Sequence, residues 1–197
     1  MTTDKTLDML AAVVGAEAAL DEWDAPPSVA LIVTQDDGRN ELVRFPLSHE
    51  FWTQGPVYLL LHGIAGTVRE MLPMEMVREM VPDLRHLVGV ALFTEAWGLK
   101  ASADTPIEER KAQQEWAEEH GISGHPDRVE MKVLTAVGRD GIRYVVEHTR
   151  GDTQPSGATA GSPDELNGRV MDALQDILDA YVGRFGSAFK RPGATTR

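Results

Sequence analysis

Leu87-Val88-Gly89-Val90-Ala91-Leu92-Phe93-Thr94-Glu95-Ala96-Trp97 is the most apolar stretch of the chain. It is rich in β-branched and aromatic residues and longer than an ordinary strand. That predicts a central strand covered on both faces for most of its length. One residue breaks the pattern. Glu95 falls on the face that strand alternation gives to Phe93 and Trp97. A carboxylate there needs a partner or costs several kcal/mol of desolvation. Arg128, Glu130 and Arg143 fall on neighbouring predicted strands and are the candidates for a hydrogen-bonded network with it, as a structural pair that fixes register or as a ligand anchor.

Working outward, Val129, Met131, Val133 and Val137 alternate with Arg128, Glu130 and Lys132, which predicts a strand with one wet face. Gly138-Arg139-Asp140-Gly141 turns it into a hairpin with Ile142–Val146. On the other side, Val29, Leu31 and Val33 alternate towards an Asp37-Gly38 turn. The return strand, Leu42–Phe45, is closed by Pro46, which suits a sheet edge. Helical spacing appears at Leu7, Leu10, Ala11, Val14 and Ala18, with Thr2 or Thr3 as cap and Asp24, Pro26 and Pro27 as the stop.

Val57-Tyr58-Leu59-Leu60-Leu61-His62-Gly63 looks like a hydrolase strand and oxyanion turn, but no Gly-x-Ser-x-Gly elbow follows it. Val57, Leu60, Leu61, Ile64, Val68, Met71 and Leu72 keep a 3.6-residue period, so the segment reads as a buried helix with Pro56 at its start. A short helix over Met74–Met80 is expected between two prolines. Thr105-Pro106-Ile107-Glu108 opens a polar outer helix to about His120, an insertion on the outside of the domain. Residues 150–163 read as a mobile loop. Ser162-Pro163-Asp164-Glu165 then caps a helix striped by Leu166, Val170, Leu174, Ile177, Leu178, Tyr181 and Phe185.

The expectation is one α+β domain over residues 1–185, a five-stranded antiparallel sheet under long amphipathic helices, with a flexible basic tail at 186–197. The element order is analogous to the profilin-like roadblock and longin domains. That analogy implies a sheet order of 2-1-5-4-3, with the central helix on one face and the terminal helices on the other.

Composition narrows the chemistry. The 197 residues carry 31 Asp and Glu against 19 Lys and Arg, a net charge of −12, and no cysteine. Disulfides, thiolate catalysis and Cys-ligated metals are thereby excluded. The charge disfavours nucleic-acid phosphate and anionic lipid, and the expected address is the cytoplasm, with no membrane span. The charge sits on three segments, residues 1–24 (net −5), 104–120 (net −4) and 164–179 (net −4). Either these are solvated helix faces or they form an acidic surface for a basic partner, in the extreme a DNA mimic.

Ala91-Leu92-Phe93-Thr94-Glu95-Ala96-Trp97, with His125-Pro126-Asp127-Arg128-Val129-Glu130 and Gly138-Arg139-Asp140-Gly141 in order after it, resembles an uncharacterised family of actinobacterial and actinophage proteins. The resemblance implies an origin and no activity.

No complete catalytic or metal motif appears. His120, His125 and Asp127 surround a Gly-containing turn but fall short of a convergent ligand set, and His62 reads as a partly buried helix histidine. Ser156–Ser162 resembles a phosphate loop in composition and lacks its lysine. The expected function is therefore a non-enzymatic interaction or assembly module, binding a protein partner or a second copy, without cofactor or metal. Trp97 and Trp116 are the possible contacts. The alternative is a small-molecule-binding protein or enzyme with a pocket near Glu95, Arg128 and Glu130.

Overall fold

The computed structural model describes residues 4–20, 22–35, 37–70, 87–99 and 106–185. The expected helix at 74–80, the Thr2, Thr3 and Thr105 caps and the basic tail lie outside them. Six strands form one antiparallel sheet: β1 (Ser28–Thr34), β2 (Asn40–Arg44), β3 (Leu87–Leu99), β4 (Arg128–Gly138), β5 (Arg143–Thr149) and β6 (Gly157–Gly161). Their order is 2-1-3-4-5-6.

β3 is central, as its hydropathy requires. It pairs with β1 from Ser28↔Phe93 to Val33↔Leu87, and with β4 from Gly89↔Gly138 to Leu99↔Arg128. The order 2-1-5-4-3 does not form. It would place β3 at an edge, where one whole side of a long apolar strand would stay unpaired and invite aggregation. Gly89 helps the two longest strands meet, because a Cβ there would stand 2.3 Å from the Val137 carbonyl oxygen. The sixth strand, β6, lies inside the stretch expected to be a mobile loop.

α1 (Lys5–Ala19) covers one face of the sheet. Its Leu10 and Val14 pack on Ile32, Ala91, Leu134, Ala136, Tyr144 and Val146. The helix is capped by Asp4, whose carboxylate accepts from the amides of Thr6 and Leu7. The opposite face carries Val29, Leu31, Val33, Val90, Leu92 and Val137. Here α3 (Val57–Glu70) and α5 (Arg169–Phe185) lie side by side, contributing Leu61, Ile64, Val68, Leu174, Ile177, Leu178 and Tyr181. The C-terminal helix thus joins the central helix instead of the first one. The reason is volume: α5 presents a broader apolar stripe than a sheet face already holding α1 can take. Each buried Leu or Ile contributes about 1.5–3 kcal/mol by leaving water.

Ion pairs finish this helix pair. Asp176 of α5 accepts from Arg69 at 2.8 Å and meets His62 Nδ1 at 2.9 Å, so His62 is an exposed, paired residue and not a partly buried one. The His62 and Arg69 contacts hold the Asp176 carboxyl below its usual range. Half of the Ser162–Glu165 capping box forms: Glu165 Oε2 accepts from the Ser162 amide at 2.8 Å and from its hydroxyl at 2.9 Å. The helix nevertheless begins only at Arg169, after Gly168 at φ 137° has broken the chain direction. Among the described residues, a four-residue α2 (His49–Trp52) and the outer α4 (Ile107–His120) are the remaining α-helices.

Candidate functional site

The polar centre of the molecule lies on the α1 face, where the sheet runs past the end of α1. Register decides its membership. Lys132 stands directly opposite Glu95 across the β3–β4 ladder. Its ammonium lies 3.9 Å from Glu95 Oε1 and donates to the carbonyls of Glu22 at 2.6 Å and Glu17 at 3.1 Å. The Glu17 carbonyl belongs to the last turn and a half of α1, where a cation also complements the helix dipole. The indole of Trp23 lies with its centroid 5.0 Å from the same ammonium. Asp24, with φ 68°, turns its amide onto Glu95 Oε2 at 2.5 Å. The pair therefore clamps the α1–β1 corner onto the sheet. Lys132 is only 8% exposed at its side chain, so the expected wet face of β4 is dry at this position. The covering corner is the cause.

The other expected partners of Glu95 are elsewhere. Glu130 accepts from Arg150 at 2.5 Å, and Arg150 lies 5.0 Å from the Trp23 ring centroid. Arg128 sits 5.0 Å from the centroid of Trp97, which is 44% exposed. Arg143 points to the opposite face of the sheet. It donates to the Leu166 carbonyl at 3.0 Å and Asp172 Oδ1 at 3.2 Å, tying down the entry to α5.

A cavity of about 230 Å³ adjoins the clamp, lined by Glu17, Arg44, Phe93, Glu95, Lys132 and the Pro26–Pro27 turn. That is below the roughly 300 Å³ at which ligand pockets begin. Its charges are already matched, Arg44 with Glu17 and Lys132 with Glu95. Arg128 and Glu130 do not line it. Asp24, Glu95 and Glu130 bring one carboxylate oxygen each within 4.8 Å of one another. Lys132 and Arg150 put two positive charges against this trio, which answers most of its need for a cation.

Around the outer helix, Trp116 stacks on His120 and meets His125 edge-on, each at 4.7 Å between centroids. His120 Nδ1 faces the Trp116 carbonyl at 3.2 Å, and His125 Nδ1 accepts from the Asp127 amide at 3.1 Å. Trp116 is thus packing for α4. Two phenols are also held neutral. Burial first, then Asp140 and Asp4, push Tyr144 up to about 12, and burial raises Tyr181 further. Among the described residues, the Tyr181 hydroxyl has no hydrogen-bond partner.

Lys132, Trp23 and Asp24 were not singled out by sequence reasoning. The only signal was parity: Lys132 shares a strand phase with Arg128 and Glu130. What the fold and site define is an α+β domain with an open six-stranded antiparallel sheet, an internally neutralised ionic corner and an exposed tryptophan beside it. Compared with protein families, curated proteins and solved structures, the chain matches none of them. Among the described residues, no helix is long and apolar enough to cross a membrane.

Proposed function

We propose that the protein is a non-enzymatic interaction module whose contact surface is the far end of the β3–β4 ribbon around Trp97. One observation carries this reading: Trp97, a large apolar side chain, stands 44% exposed on a rigid strand with the Arg128 guanidinium over its ring. Tryptophan and arginine are the side chains that most often dominate binding energy, and a strand presents them at little entropic cost. The charged groups behind them bond to one another, which supports binding over catalysis. α1 and α5 lie on opposite sheet faces, so these two acidic segments do not share one surface, which speaks against a DNA-mimicking double row. The resemblance to actinobacterial and actinophage proteins makes such a host the place to look for the partner.

A photo-crosslinking residue at position 97, expressed in an actinobacterial host, tests the proposal. The expected result is a discrete adduct that is absent when the probe replaces Leu59, an equally exposed position on α3. The same adduct pattern at both positions overturns it.

A further inference from the structure

The outer edge of β6 carries a second, independent message. Pro155-Ser156-Gly157-Ala158-Thr159-Ala160-Gly161-Ser162-Pro163 reads the same in both directions about Thr159. We infer that β6 pairs antiparallel with β6 of a second copy across a two-fold axis at Thr159, joining two six-stranded sheets into one.

Three observations carry this. First, the edge is open. No described strand lies beyond β6, and Ala158, Thr159 and Ala160 are exposed. Second, the free hydrogen-bonding groups have the right phase. The Gly138 amide donates to Ile142 and the Arg150 amide to Glu130, so the even residues of β5 face β4 and its odd residues face β6. The Glu147 carbonyl accordingly faces β6, and at the entry to the strand, before the regular ladder begins, it accepts from the Ser156 amide. Gly157, Thr159 and Gly161, opposite Glu147, Val145 and Arg143, are therefore turned inward. The amides and carbonyls of Ala158 and Ala160 point out. A two-fold axis at Thr159 sets Ala158 opposite Ala160 of the second copy and the reverse, giving two reciprocal hydrogen-bonded pairs. Thr159 meets its own copy at a non-hydrogen-bonded position, the closest approach in an antiparallel ladder.

Third, among the described residues the centre of the edge is undefended, and the charge beside it, Glu165, takes only the Ser162 amide and hydroxyl at one end. Natural edges carry charges, proline or a bulge against such pairing. The β5–β6 register is unbroken and β6 itself holds only Gly, Ala and Thr. The opposite edge, β2, carries Glu41 and Arg44 and ends at Pro46. The two prolines of the palindrome bracket the open segment at equal distances from its centre. In an isologous pairing about Thr159 each residue meets the one equally far on the other side of the centre, and the palindrome matches those pairs in size, Ala on Ala and Gly on Gly.

Sedimentation of the full chain over a concentration series, with three kinds of variant, tests this. Wild type is expected to move from monomer to dimer. Ala160→Pro removes one outward amide per copy, leaves the β5–β6 ladder intact, and should weaken the dimer about tenfold or more. Thr159→Lys and Thr159→Glu should each be monomeric, and mixing them should restore a dimer. The chain has no cysteine, so Thr159→Cys should form an intermolecular disulfide much faster than Thr53→Cys, a distant exposed control. Circular dichroism melts confirm that each variant is folded. A wild type that stays monomeric at every concentration overturns the inference. So does a dimer indifferent to Ala160→Pro, or a Lys/Glu mixture that stays monomeric. None of these outcomes bears on the Trp97 adduct, so the two proposals stand or fall separately.

Discussion

The two ends of the β3–β4 ribbon have opposite chemistry. From Leu87 to Leu92 the ribbon is buried on both faces, between α1 and the α3–α5 pair. From Thr94 to Leu99 the same two strands pass beyond the helices, and the cross-strand partners become Glu95 with Lys132 and Trp97 with Glu130. One end is held by dispersion and dehydration, the other by a few specific bonds to the α1–β1 corner. The contrast teaches that the sheet is a rigid beam, clamped at one end, that carries its exposed residues outward at the other.

Substitutions can break this contrast in a graded way. Leu92→Ala, in the clamped end, should cost about 2–5 kcal/mol of unfolding free energy, read by chemical denaturation. Lys132→Met comes next, at about 2–3 kcal/mol, because it leaves Glu95 without its counter-charge and the Glu17 and Glu22 carbonyls without their donor. Adding Glu95→Gln should restore a good part of that loss, and the double-mutant cycle measures the coupling. If both ends were held alike, the second change would simply add.

A smaller effect belongs to the α1 face. The Tyr144 phenol, raised to about 12 by burial, favours folding in its neutral form. That contribution is complete below the unfolded phenol value near 10 and is lost as pH rises through about 12, so alkaline melts should fall in that window. Tyr144→Phe should flatten the fall. Smallest of all, Trp97→Ala should change stability by less than about 1 kcal/mol while abolishing the adduct formed by a probe placed instead at Leu99, next on the same strand face.

Much of the fold was legible because periodicity encodes element type. The apolar run at 87–97 announced a central strand, and the structure agrees. The profilin-like analogy conflicted with that reading, and the local physics prevailed. β6 was invisible because Gly-Ala-Thr-Ala-Gly has no hydrophobic alternation, and it is a strand only because β5 offers it partners. The site was less legible than the fold. Alternation placed Glu95, Phe93 and Trp97 on one face, but it does not say which β4 residue stands opposite. Arg128, Glu130 and Arg143 were therefore grouped with Glu95, while the register chose Lys132. That Trp23 and Asp24 fold over the pair depends on one left-handed residue, which composition does not reveal.

Leu99 and Arg128 face each other directly in the ladder, so residues 100–127, with α4 among them, leave and re-enter the sheet at a single point. In engineering terms that point is a socket. A two-residue turn should close the ribbon there without shifting its register, and a foreign domain whose termini lie close together should plug in as readily. The excursion rejoins the hairpin beside that point, where the backbone amide and the guanidinium of Arg128 both donate to the His125 carbonyl.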